Sequence, residues 1–176
     1  DLGCGSGELL AAIHDRQHVA GIGIHLSTAG IEQASRRHPD LTWLVANADR
    51  RLPLLDRTLH IALSLNGRRN PAECARVLAR GGSLVIAIPG AEDLIELRTA
   101  LQGARVERDR VESLLAEHAE HFAVPKQSRH VERHELTQSQ LHDLLRGTYR
   151  AARTSAAARL ASLDTMHVTL ASDVVI

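Results

Sequence analysis

Two spacings of apolar residues alternate along the first half of this chain. In "ELLAAIHDR" (8–16) they recur at helical intervals, whereas "VAGIGIHL" (19–26) is a short apolar run of strand length. The stretch "STAGIEQASRRH" (27–38) opens on the cap-forming Ser27 and Thr28 and predicts a helix that ends at His38, before Pro39. Further strands are predicted at "LTWLVANA" (41–48), "LHIALSL" (59–65) and "SLVIAIPG" (83–90). Between the last two, "NPAECARVLARGG" (70–82) predicts a helix with Pro71 in its first turn, stopped by Gly81 and Gly82. Strands separated by helices require parallel pairing with right-handed crossovers. The expected class is therefore α/β, a mostly parallel central sheet with helices on both faces.

Beyond Pro89 the pattern turns more polar. Helices are predicted in "DLIELRTALQG" (93–103), "ERDRVESLLAEHAEHF" (107–122), "TQSQLHDLLRG" (137–147) and the small-residue-rich "RTSAAARLAS" (153–162). "KQSRHVERHEL" (126–136) reads as a polar strand or extended segment, and "MHVTLASDVVI" (166–176) as a terminal strand. The sequence shows no repeat and no low-complexity linker.

Composition narrows the partners. At 176 residues one domain, 1–176, is the expectation. Lys+Arg and Asp+Glu both total 21, so bulk charge attracts neither nucleic acid nor an anionic membrane, and any such partner needs a local patch. Cys4 and Cys74 lack metal-site spacing, which argues against a disulfide framework or a structural zinc and suits a reducing cytoplasm. No apolar run reaches membrane-spanning length and no targeting segment is visible, so the expectation is a soluble cytoplasmic chain. Aromatics are 2% of residues, which leaves few rings to stack on bases.

The opening "DLGCGSG" carries the chemistry. A glycine turn between strand and helix lets backbone approach a ligand and aims amide donors at it. Gly3, Gly5 and Gly7 form G-x-G-x-G, shorter than the dinucleotide fingerprint, and no Lys-Ser/Thr follows as a P-loop requires. By itself the motif is equally an ordinary glycine turn with no ligand. In context, "DLGCGSG" resembles motif I of the class I S-adenosylmethionine-dependent methyltransferases, which share a Rossmann-like fold. "RVLARGG" (76–82) resembles their "RVLKPGG" helix end, and "ADRRLPLLDRTLHIALS" (48–64) is similar to the loop and strand between these landmarks. More loosely, "ADRRLPL", "RRNPAECARVLARGG", "IPGAEDLIELR" and "LLRGTYRAAR" resemble the catalytic domain of the bacterial large-subunit ribosomal RNA guanine-N1 methyltransferases.

The resemblance implies S-adenosylmethionine as cofactor and assigns roles. Asp1 would organise the turn and, through water, the methionine amino group. Gly3, Gly5 and Gly7 would leave room for the methionine and ribose, with Cys4 and Ser6 as small fillers. The family's ribose-binding acid falls at His25, and an imidazole meets only part of the need of two hydroxyl donors, so His25 is equally readable as a strand-end residue with no ligand. Asn47 or Asp49 would take the adenine amine, Asp49 preferred because a carboxylate only accepts; Leu52 and Pro53 would line the adenine. The resemblance also implies an amino-terminally incomplete copy, since the family's first strand and its Cys-rich zinc module would precede Asp1; such a sheet would be less stable.

Ligands of open α/β sheets sit beyond the carboxyl ends of strands, which puts Ser64, Asn66, Arg68 and Arg69 at the mouth where a methyl acceptor would enter. Arg68 and Arg69 would hold an RNA phosphate or a guanine O6, or would be a solvated loop pair. No "NPPY" motif or loop cysteine points to adenine-N6 or cytosine-C5 chemistry. The 11 histidines include chelate-like spacings at His118/His121 and His130/His134, but their charged neighbours favour solvated surface over metal. Lys126, Arg129, Arg133, Arg146, Arg150 and Arg153 lend the late region a mild basic lean compatible with an RNA face. The expected function is methyl transfer to guanine N1 of ribosomal RNA. A small-molecule methyltransferase and a non-catalytic remnant or RNA-binding module remain as alternatives.

Overall fold

The computed structural model describes residues 1–102, 109–123, 125–146 and 164–176, and these fall into two compact units. The first comprises Asp1–Ile88, Ser113–Ser128 and Val174–Ile176, and the second comprises Pro89–Glu112 and Arg129–Asp173.

In the first unit, strand β1 (Ile22–His25) pairs in parallel with β2 (Thr42–Val45), placing Gly23 opposite Trp43 and Ile24 opposite Leu44. Asp1 and Leu2 run along the other side of β1: the Ile24 amide donates to Asp1 O (2.8 Å) and the Gly3 amide to Ile24 O (2.8 Å). The Leu2 amide donates in turn to Leu63 O (2.8 Å) of β3 (Leu59–Leu65), and β3 is parallel to β4 (Leu78–Pro89). Leu2, 4% exposed, is thus the centre of the order β2, β1, Asp1–Leu2, β3, β4. From it the chain winds outward first to one side and then to the other, which makes the residues just after Leu2 a topological switch point.

The helices follow from caps and apolar faces. Helix α1 (Glu8–Gln17) buries Leu10 and Ala11 against Leu41, with Trp43 alongside. Helix α2 (Thr28–Arg37) is capped by Ser27, whose hydroxyl accepts from the Gly30 amide (3.2 Å), and buries Ile31 and Ala34. Helix α3 (Pro71–Val77) is capped by Asn70, which accepts from the Glu73 amide (3.2 Å).

The predicted helix over 70–82 is corrected at its end. The Arg76 and Val77 carbonyls accept from the Arg57 and Thr58 amides (both 2.9 Å) instead of from a further helical turn. Leu78 enters the ladder opposite Leu59, and the register then jumps to Ile61 opposite Ser83, so the strand bulges over 79–82, with Gly81 at φ +78°. The two early strands are also shorter than the apolar runs 19–26 and 41–48 suggested.

The second unit has a core of Leu97, Leu141, Leu145 and Val168. These come from α4 (Ile95–Gln102), α6 (Gln138–Arg146) and β6 (Thr165–Val175). Strand β5 (Gln127–Thr137) neighbours β6, and the mutual Lys126–Ile176 amide-to-carbonyl bonds (both 2.9 Å) give the terminal strand its antiparallel sense. Glu96 accepts from the Thr169 amide (2.9 Å) and hydroxyl (2.7 Å), and Arg129 forks onto Asp173 (2.6 and 3.0 Å). Helix α5 (Val111–His118) buries Leu114 and His118, both of which belong to the first unit. The predicted helix 153–162 lies outside the described residues. Among the described residues no helix is long and apolar enough to cross a membrane.

Candidate functional site

At the switch point three glycines adopt the left-handed backbone region that favours glycine: Gly3 (φ +88°), Gly5 (φ +58°) and Gly7 (φ +90°). Their surroundings differ. A Cβ at Gly3 would lie 3.2 Å from the Gly67 Cα, and one at Gly7 would enter the Trp43 ring, whereas at Gly5 it would meet nothing within 4 Å. Protein therefore fills the space beside Gly3 and Gly7, and only Gly5 has an open face.

His25, at the end of β1, turns toward this open glycine. The Gly5 amide donates to His25 Nδ1 (3.4 Å), and Gly30 of α2 packs close to both, its missing Cβ lying 3.2 Å from Gly5 O and 3.3 Å from the imidazole Cδ2. With its Nδ1 lone pair so used, the neutral ring carries its proton on Nε2 and offers a ligand a donor. Asp1 contributes backbone to the ladder beside β1. Cys4 is buried, and Ser6 donates to the Glu8 carboxylate (2.8 and 2.9 Å).

The loop after β2 is locally wound and clamped from α3. Asn47 Oδ1 accepts from the Asp49 amide (2.9 Å), closing an Asx turn. The Asp49 carboxylate accepts from Arg68 (2.9 Å), and its carbonyl from the Asn70 amide nitrogen Nδ2 (3.4 Å). Leu52 is only 2% exposed, so its side chain packs inward, and Pro53 is the exposed member of the pair. Glu73 accepts from the Leu52 amide (2.8 Å), while Arg76 spans Leu52 O (3.0 Å), Leu54 O (2.9 Å) and Asp56 (2.6 Å). The Arg76 hydrogen bond holds the Glu73 carboxyl below its ordinary range.

The loop after β3 completes the rim. Ser64 is buried and donates to Gly67 O (3.3 Å); Asn66 is exposed at φ +55°, its amide donating to Ala87 O (2.8 Å). Gly67 leaves no room for a side chain against Leu2 O. Arg68 is exposed and paired with Asp49, but Arg69 is half-buried, its Nε donating to His118 Nε2 (3.1 Å) and Nη1 to Gly67 O (3.3 Å). Burial pushes both the Arg69 guanidinium and the His118 imidazole below their ordinary pKa values.

The structure thus brings most of the expected residues onto one rim: His25 touches Gly5, Gly3 packs on the loop of Asn66, Arg68 and Arg69, and Arg68 reaches Asp49 beside Asn47. His118 is a correction. It was expected on the solvated surface but is 6% exposed, because one ring nitrogen caps Leu114 O and the other meets Arg69. His121, His130 and His134 are exposed, and among the described residues no group of three or more His, Cys, Asp or Glu could hold a metal. Of the basic residues, Arg129 is committed to Asp173, Lys126 and Arg133 are exposed, and the Arg146 side chain, Arg150 and Arg153 lie outside the described residues. Sequence reasoning missed Glu73, Arg76, Trp43 and Gly67. Only the i, i+3 spacing of Glu73 and Arg76 signalled a pair beforehand.

Residues 1–82 match a family profile described as a methyltransferase domain. A 23S rRNA (guanine(748)-N(1))-methyltransferase of Streptomyces fradiae is 37% identical over 131 residues, 73% of this chain and 46% of that protein. A Micromonospora griseorubida protein, named provisionally as a 23S rRNA guanine-N1 methyltransferase, is 33% identical over 146 residues, 82% of this chain and 50% of that protein. The chain therefore spans about half the length of these curated relatives. A geranyl diphosphate methyltransferase solved with S-adenosylmethionine shares the fold, with a TM-score of 0.57 over 98% of this chain and 76% of that one at 19% identity.

Proposed function

We propose, for a chain whose fold is that of the class I methyltransferases and whose sequence resembles the 23S ribosomal RNA guanine-N1 methyltransferases, that it transfers methyl from S-adenosylmethionine to guanine N1 of large-subunit ribosomal RNA. Residues 1–176 are read as its catalytic domain, working in the cytoplasm. The observation that carries the reading is the left-handed Gly5, open on its Cβ side, with His25 beside it at the carboxyl ends of the central strands.

The donor set fits the cofactor at two of its three parts. The open face of Gly5, in the glycine turn led by Asp1, offers close backbone approach for the methionine portion, and Asp49 beside Asn47 offers an acceptor for the adenine amine, near the buried Leu52. At the ribose, His25 offers an N–H where a carboxylate would accept from both hydroxyls, so that contact is weaker than the resemblance implies. Bound there, S-adenosylmethionine supplies an electrophilic methyl for in-line transfer. Asn66, exposed at the rim, presents a side-chain amide that can donate to guanine O6 and leaves N1 open to the methyl, the N1 proton passing to solvent as the N–C bond forms; Arg68 and Arg69 supply N–H groups for O6 or a neighbouring phosphate. Holding N1 in line with the methyl supplies most of the rate.

Calorimetric titration with S-adenosylhomocysteine, for the unmodified chain and His25→Asp, tests the reading. Micromolar binding by the unmodified chain supports it, and methylation of a ribosomal RNA transcript is then the direct assay. The His25 donor also favours a second reading, a domain that has kept the fold and lost cofactor affinity. Binding seen only in His25→Asp would select that second reading.

A further inference from the structure

The contact between Arg69 and His118 joins the loop after β3 to a helix 49 residues further along the chain, within one compact unit. It is not a chance encounter of two solvated side chains. His118 is 6% exposed, and its Nδ1 lies 2.8 Å from Leu114 O. A carbonyl only accepts, so Nδ1 carries a proton. The neutral ring then has its one lone pair on Nε2, where the Arg69 Nε–H arrives at 3.1 Å. The guanidinium is held a second time by Gly67 O (3.3 Å), so among the described residues three of its five N–H groups carry no hydrogen bond.

We propose that His118 is a positioning residue for Arg69: its Nε2 lone pair fixes the guanidinium at the methyl-acceptor rim, and protonation of the ring releases it. The proposal rests on the methyl-transfer reading for its consequence but not for its geometry. An imidazolium has no lone pair, so protonated His118 would set a donor and a second positive charge against Arg69. Among the described residues, few charged and titratable groups bear on the pair. Glu117 and His121 lie on or just after α5, Cys74 bears on Arg69 from α3, and Lys126 lines the same apolar cavity as His118. Of these only Glu117 carries a negative charge near neutrality, and it favours Arg69 as well as the protonated ring.

The test uses the full chain labelled with 15N and its arginine Nε–H resonances. At about pH 8, above the ordinary imidazole value of roughly 6.5, a protected Arg69 Nε–H signal is expected, assigned by its loss in Arg69→Lys. It should disappear on acidification in step with the His118 ring signals. It should be absent in His118→Phe and present in His118→Gln, whose side-chain oxygen can occupy the Nε2 position and is insensitive to pH. An Arg69 signal that survives in His118→Phe, or that is lost in His118→Gln although that variant is folded, overturns the proposal. If the chain methylates a ribosomal RNA transcript, His118→Phe should raise KM for RNA about tenfold with kcat and S-adenosylhomocysteine affinity little changed. If no transcript is methylated, the functional reading fails while the resonance test still decides the pairing.

Discussion

Alanine at Gly7 probes the packing of the glycine turn. Gly7 caps α1 at φ +90°, and a Cβ there would lie 2.9 Å from Trp43 Cζ3 and 3.0 Å from Cζ2, with Cη2 closer still. The indole cannot swing aside, because its Nε1 donates to His38 O (2.9 Å) and its ring also covers Gly23. Two costs add. A side chain in left-handed backbone costs about 1–2 kcal/mol, and forcing a methyl into a filled site about 1–3 kcal/mol, so Gly7→Ala should lose about 2–5 kcal/mol. Gly5→Ala is the control: at φ +58° with nothing within 4 Å, it should lose only the backbone part, about 1–2 kcal/mol. Urea unfolding followed by far-ultraviolet circular dichroism gives both values. In a Trp43→Leu background the steric cost should vanish, leaving a coupling of about 1–3 kcal/mol between positions 7 and 43. If Gly7→Ala costs no more than Gly5→Ala, or costs the same with and without the indole, the reasoning is refuted.

Further expectations concern charge and burial. Glu73→Gln should destabilise by about 1–3 kcal/mol near neutrality. Because the Glu73 carboxyl sits below its ordinary value, its contribution is present above about pH 4.5 and is lost as pH falls through the folded value; a wild-type-to-variant gap that stays constant down to about pH 3 would contradict this. Burial pushes the Cys74 thiol up to about 11 and raises that of Cys4 too, so thiol reagents near neutrality should label both only on unfolding; rapid labelling of the native chain would count against the buried placement. Arg129→Ala strands Asp173, whose side chain is 9% exposed, and should cost about 2–4 kcal/mol, much of it regained in Arg129→Ala with Asp173→Asn. Equal losses in the single and double variants would show that the pairing is not the cause.

What could be read from the chain alone was what depends on neighbours along it. Ser27 caps its helix through the amide three residues on, and strand-length apolar runs between helical ones dictate parallel pairing. The alternating glycines of "DLGCGSG" likewise announced a backbone outside the ordinary region, and all three have positive φ.

The tertiary structure decided what depends on partners distant in sequence. Helix α3 stops at Val77 and not at the glycines because Arg57 and Thr58 take its last carbonyls, a competition that no local propensity encodes. Gly7 makes room for Trp43, 36 positions away, as well as for backbone strain, and only Gly5 was left open. His118 looks solvated among Glu117, Glu120 and His121, yet one ring nitrogen has a helical carbonyl and the other an arginine from position 69, and those two partners make its burial affordable. Period and capping act within a few residues and are legible in the sequence. Which polar group is buried is settled only when the chain brings its hydrogen-bonding partner within about 3 Å.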